Sequence, residues 1–132
     1  MDVREKIRAN AELVITKLGP LSGLGKAFGY NRASVAWVDG FIEQQRVKED
    51  LTPQSVTKLA HVIGSYLGEC IVRIHGGQWR QSEGRWGVFY DNGNGVFPFA
   101  KVRKQFKNGR DRGDSILGFL DLIEPVMLKK RE

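Results

Sequence analysis

The sequence predicts an α+β domain: N-terminal helices, an antiparallel meander of three or four strands, and two C-terminal helices. Three observations carry this. Apolar residues recur at spacings of three and four through three early segments. The apolar period drops to two after Gly68, where short segments alternate with glycine-rich turns. Helical spacing returns after Ala100.

Residues 2–18 read as a helix with Ile7, Ala11, Val14 and Leu18 in one stripe, ended by Gly19-Pro20. A loop carrying Gly19, Gly23, Gly25 and Gly29 comes next. A second helix runs from about Arg32 to Lys48, with Val35, Val38 and Ile42 facing inward. Trp37 and Phe41 sit four apart beside that stripe. So wide an apolar face either inserts between two layers or leaves an aromatic patch for a partner. The third helix has the clearest start, with Thr52 as N-cap and Pro53 in the first position. Val56, Leu59, Ile63 and Leu67 make its stripe, and Gly68 is the expected stop.

From Cys70 the pattern reads as strand: Cys70, Val72 and Ile74 on one face, Ile71, Arg73 and His75 on the other. Gly76-Gly77 then suggests a hairpin turn, with a return strand from Gln78. Glu83-Gly84 turns again, and Trp86, Val88 and Tyr90 alternate toward a core. Asp91 to Gly95 is a turn cluster, and Val96 to Phe99 a last short strand in which Pro98 marks an edge or an end. A short helix from Ala100 to Lys107 turns Val102 and Phe106 inward, and Asn108-Gly109 ends it. Asp114-Ser115 caps a final helix carrying Ile116, Phe119, Leu120 and Ile123, stopped by Pro125.

The 132 residues, 41% of them hydrophobic, suffice for one core and read as a single domain. Within it, 1–30 form the first helix and Gly-rich loop, 31–125 the main body and 126–132 a basic tail. One cysteine, Cys70, excludes an internal disulfide framework and suits a reducing cytoplasm. No apolar run is long enough to span a membrane, and the polar N-terminus lacks the apolar core of an export signal.

The net charge of +6 is unevenly placed. Residues 73–112 hold nine Lys/Arg against three Asp/Glu, while the flanking segments nearly balance. Six cations, Lys101, Arg103, Lys104, Lys107, Arg110 and Arg112, fall within twelve residues and are opposed there only by Asp111. Such a run suits an anionic partner, either an acidic protein surface or nucleic acid. The plain alternative is the wet side of an amphipathic helix.

Catalytic and cofactor motifs are weak. Gly23-Leu24-Gly25-Lys26 lacks the upstream glycine, the Ser/Thr after lysine and the preceding strand of a phosphate loop. Two histidines and one cysteine offer neither a metal set nor a nucleophile pair. His61 falls on the wet side of its helix. Glu69, at the expected helix-to-strand corner, reads as a carboxylate bonding loop N–H groups or pairing with Arg73. Arg112-Gly113-Asp114 is better explained by Asp114 as a helix cap than as an integrin-type tripeptide. Gly84 to Tyr90 loosely resembles an RNA-stacking strand but is one glycine short and in the wrong helix–strand order for that fold, which leaves only Phe89, Arg85 and Arg73 as a basic stacking surface. No cofactor is called for.

The segments SVAWVDGFIEQQR (Ser34–Arg46), IGSYLGECIV (Ile63–Val72), GGQW (Gly76–Trp79) and FPFAKVRKQFKNG (Phe97–Gly109), in that order, resemble a small bacterial domain of unknown function of the DUF3806 kind. The resemblance spans roughly Ser34 to Ile123. It implies a bacterial α+β domain with no assigned catalytic residues, and supplies no site. The expectation is a cytoplasmic, non-enzymatic protein-binding or regulatory module, of an immunity-like kind, with a homodimer open. Trp37 and Phe41 would form its apolar contact, and the 101–112 face its electrostatic one. A nucleic-acid-binding domain using that same face is the alternative.

Overall fold

The computed structural model describes residues 2–123. Pro125 and the basic tail lie outside the described residues. The helices are α1 (Val3–Leu13), α2 (Arg32–Arg46), α3 (Pro53–His75), α4 (Pro98–Asn108) and α5 (Ile116–Leu122). A three-stranded antiparallel sheet, β1 (Gln78–Ser82), β2 (Arg85–Phe89) and β3 (Gly95–Val96), lies between α3 and α4. The α+β class and its order hold.

Local chemistry explains the starts. Asp2, Asn31, Thr52 and Ser115 each accept a backbone N–H from the first turn of α1, α2, α3 and α5. The first helix runs on into a π-turn, Val14–Leu18, before Gly19-Pro20 ends it. The Gly-rich loop beyond it holds two short 3₁₀ turns and no strand.

The main correction concerns residues 68–75. Gly68 does not stop α3, and Cys70–His75 is not a strand: the helix continues 23 residues to His75. Ala60, Ile63, Leu67 and Ile71 keep the three-and-four spacing, and all are buried. That burial outweighs the strand preference of Ile71, Val72 and Ile74, because β propensity is weak beside tertiary packing. Gly76, at φ 79°, is the true stop, so Gly76-Gly77 links helix to strand and is not a hairpin turn.

The hairpin is instead made by Glu83-Gly84, both at positive φ, between the paired Ser82 and Arg85. Val88 pairs with both Trp79 and Val96. The expected strand at Val96–Phe99 shrinks to Gly95–Val96, because Pro98 takes the first position of α4, where its missing N–H costs nothing.

Helix α3 is the axis of the fold. Helix α1 lies along it on one side, and α4 packs on it with the sheet. Its Gly64 and Gly68, four apart, face two rings. A Cβ on Gly68 would overlap the Trp79 indole, and one on Gly64 would sit 2.9 Å from Phe99 Cα. Trp79 and Phe99 touch each other at 5.7 Å between ring centroids. Trp79 Nε1 also donates to Glu69 Oε2 at 2.9 Å, which occupies a buried carboxylate.

A second lock joins α2, α4 and α5. The buried Asp39 accepts from Ser115 Oγ (2.5 Å), from the Leu117 N–H (3.1 Å) and from Arg110 Nη1 (3.4 Å). Buried Gln105 donates to Glu43 Oε2 at 3.0 Å and accepts the Ile116 N–H at 2.8 Å.

Two glycine substitutions separate packing from propensity. Gly68→Ala is expected to destabilise by about 1–3 kcal/mol through overpacking against Trp79. Gly40→Ala, on α2 with no atom within 4 Å of an added Cβ, should be neutral or stabilise by up to about 1 kcal/mol. Thermal melting of both variants checks the pair.

Candidate anion-binding face and adjoining cleft

Helix α4 sorts its side chains by the helical period. Val102, Gln105 and Phe106 are buried, while Arg103, Lys104 and Lys107 are exposed on the opposite face. The six expected cations then divide into two groups. Lys101 Nζ lies 3.0 Å from Asp114 Oδ1, each side chain 19% exposed. Arg110 reaches Asp39 from the surface, and its backbone N–H donates to Glu43 Oε2 at 3.3 Å. These two belong to the fold. Arg103, Lys104, Lys107 and Arg112 make no side-chain hydrogen bond or ion pair among the described residues, and all four are exposed.

The end of α4 is held by a cation from elsewhere. Arg46 donates from Nε to Phe106 O and from Nη2 to Lys107 O, both at 3.3 Å. Those are last-turn carbonyls, where positive charge is favoured. Asp114 is not the helix cap expected of it; Ser115 caps α5, accepting the Gly118 N–H at 3.1 Å. Asp114 instead binds Asn108 Nδ2 (2.8 Å) and Lys101. The Asn108 hydrogen bond and then the Lys101 ammonium hold its carboxyl below the usual carboxylate range.

Trp37 and Phe41 pack against the core at half burial. Their rings stack at 5.7 Å, and Trp37 meets Phe28 edge-on at 5.9 Å.

The other singled-out groups do not converge. Arg73 lies over the Tyr30 ring at 3.8 Å, whereas Arg85 lies over Phe97 at 4.0 Å, with Phe89 edge-on to Phe97. The expected surface of Arg73, Arg85 and Phe89 is thus split. Glu69 accepts from Trp79 and makes no ion pair with Arg73, although both charges lie near Tyr30, while His75 Nε2 sits 3.0 Å from Leu120 O. Burial pushes the Cys70 thiol up to about 12, which leaves it a poor nucleophile. Among the described residues, no three His, Cys, Asp or Glu side chains gather as a metal set.

Beside Arg103 an open cleft of about 470 Å³ lies between α1, α3, the β1–β2 turn and the start of α4. Lys6 of α1, His61 of α3 and Arg85 of β2 line it together with Arg103. Trp86, expected to face the core, is half-buried on its wall. No local pattern announces this grouping, because its members are 6, 61, 85 and 103 along the chain and meet only through packing on α3.

No family model, curated protein or solved structure matches the chain.

Two outcomes are expected. Asp39→Ala strands the Leu117 N–H and should destabilise by about 1–3 kcal/mol in chemical denaturation. The depressed Asp114 carboxyl contributes stability that is present above its unfolded value of about 4 and lost as pH falls through the folded value. The melting temperature should thus drop less steeply on acidification for Asp114→Asn than for the parent, and parallel curves would remove this contribution.

Proposed function

We propose that this chain is a non-enzymatic binding domain whose α4 face contacts an acidic surface on a partner protein. One observation carries the reading. Folding consumes Lys101 and Arg110 in ion pairs but leaves Arg103, Lys104, Lys107 and Arg112 exposed and unpaired. Like charges held side by side repel, so they add nothing to the stability of the fold. They do steer an oppositely charged partner and fix its register.

A protein partner is favoured over single-stranded nucleic acid by the company these cations keep. Every exposed large apolar side chain among the described residues is aliphatic, such as Leu21, Val47 and Leu122. Strand binders add stacking rings to their charge; on the outer face of α4 no ring stands among Lys104, Lys107 and Arg112, since Phe106 is buried and Trp86, Phe97 and Phe99 line the adjoining cleft instead. Trp37 and Phe41, half-buried on α2, are not required by the α4 contact. The reading includes a reducing compartment such as the cytoplasm, which a buried, unpaired Cys70 suits. No helix is long and apolar enough to cross a membrane.

Polyglutamate and a mixed-sequence single-stranded oligonucleotide serve as probes at low salt. The parent should bind polyglutamate. Lys104→Glu with Lys107→Glu should weaken that binding by roughly tenfold or more, at an unchanged melting temperature. Equal binding by the variant would show the face to be merely solvated. Tighter binding to the oligonucleotide, with a steep loss on adding salt, would transfer the face to nucleic acid.

A further inference from the structure

The cleft beside α4 is chemically one-sided. Three cations reach it from three separate elements, Lys6 on α1, Arg85 on β2 and Arg103 on α4, and no Asp or Glu lines it. None of the three makes an ion pair among the described residues. Bringing them together without a carboxylate opposes folding through like-charge repulsion, and no ion pair among the described residues offsets it. The missing complement is an anion.

The remaining walls say what carries that anion. Trp86, Phe97 and Phe99 are half-buried rings on the cleft. Arg85 Cζ lies over the Phe97 ring at 4.0 Å, which holds the guanidinium at the cleft, and its N–H groups make no ion pair among the described residues. His61 stands edge-on to Phe99 at 6.1 Å. The volume of about 470 Å³ falls within the ~300–1,000 Å³ of small-molecule sites, which pair apolar walls with a few convergent polar groups. Three cations exceed what one carboxylate needs and suit a phosphate monoester of about −1.5 to −2 charge. The first turn of α4 has no side-chain cap, and Phe97, Phe99 and Ala100 of that turn line the cleft. Its partial positive charge adds to the side chains there.

We propose that this cleft binds a small phosphate ester carrying a planar ring, of the nucleoside monophosphate class. The phosphate lies among Lys6, Arg85 and Arg103, and the ring lies against the aromatic wall. The site is separate from the protein contact on α4 and shares only Arg103 with it.

The test is calorimetric titration of the full chain with five probes: AMP, GMP, adenosine, guanosine and ribose 5-phosphate. At least one of the two nucleotides should bind saturably in the micromolar to sub-millimolar range. Its ring without phosphate, or its phosphate without ring, should bind roughly tenfold or more weakly. Lys6→Ala and Arg85→Ala should each weaken the nucleotide several-fold at an unchanged melting temperature. Lys104→Glu with Lys107→Glu should leave nucleotide binding intact, which separates this claim from the one about α4. The proposal is overturned if neither nucleotide saturates at millimolar concentration. It is equally overturned if the matching nucleoside or ribose 5-phosphate binds as well as the nucleotide, or if Lys6→Ala and Arg85→Ala bind it as well as the parent.

Discussion

Two glycines one helical turn apart, Gly64 and Gly68, let Phe99 and Trp79 lie directly on the backbone of α3. The rest of the molecule is arranged around that approach. Trp79 is the second residue of β1, and its docking fixes that strand against the helix. Phe99 belongs to the first turn of α4, so its docking fixes where α4 begins and which of its faces turns outward. Larger residues at either glycine would push the sheet and α4 off the helix, because a packed interior transmits a misfit of even one methyl group. Glu69 closes the same contact from the polar side by accepting the Trp79 indole N–H. A buried carboxylate is thus matched to a donor, as burial of charge requires.

The α4 face inherits its character from this placement. With Val102, Gln105 and Phe106 turned inward, Arg103, Lys104 and Lys107 have only solvent before them. The Asp39 and Gln105 clasp then ties the far end of α4 to α2 and α5. It also withdraws Arg110 from the set of free cations, as Asp114 withdraws Lys101. The charge excess seen in residues 73–112 is therefore a mixture. Part of it is internal bonding, and part is surface left for a partner. Arg103 stands where the outer face meets the cleft, which makes it the one cation common to both.

Much of this was legible in the sequence, and the failures have physical causes. The N-caps at Thr52 and Ser115 and the Glu83-Gly84 turn rest on local chemistry, and local chemistry is what a sequence displays directly. The end of α3 was missed because Cys70 to Ile74 alternates like a strand, while the competing signal spans a longer stretch. Ile63, Leu67 and Ile71 keep a spacing of four, and Gly64 and Gly68 repeat it with small residues. That combination marks a helix with a close-packed face. Pro98 misled for a related reason: the same missing N–H suits a strand end and a first helical position, and only the residues after it decide between them. The basic face was visible as a charge run, but its division into bonded and free cations depends on Asp39, some 71 residues from Arg110. The cleft was not legible at all, since its cations share no segment and no period.

The α4 face and the cleft both depend on α3 being one unbroken helix through Gly64 and Gly68 to His75, carrying the two docked rings. Backbone ¹³Cα chemical shifts, with amide exchange, give the sharpest test. Helical shifts should run without interruption from Pro53 to His75, with the slowest exchange across Gly64–Ile71. Extended-chain shifts over Cys70–His75, with cross-strand contacts from there to residues 78–82, would contradict it and remove the placement of α4 on which both proposed sites stand.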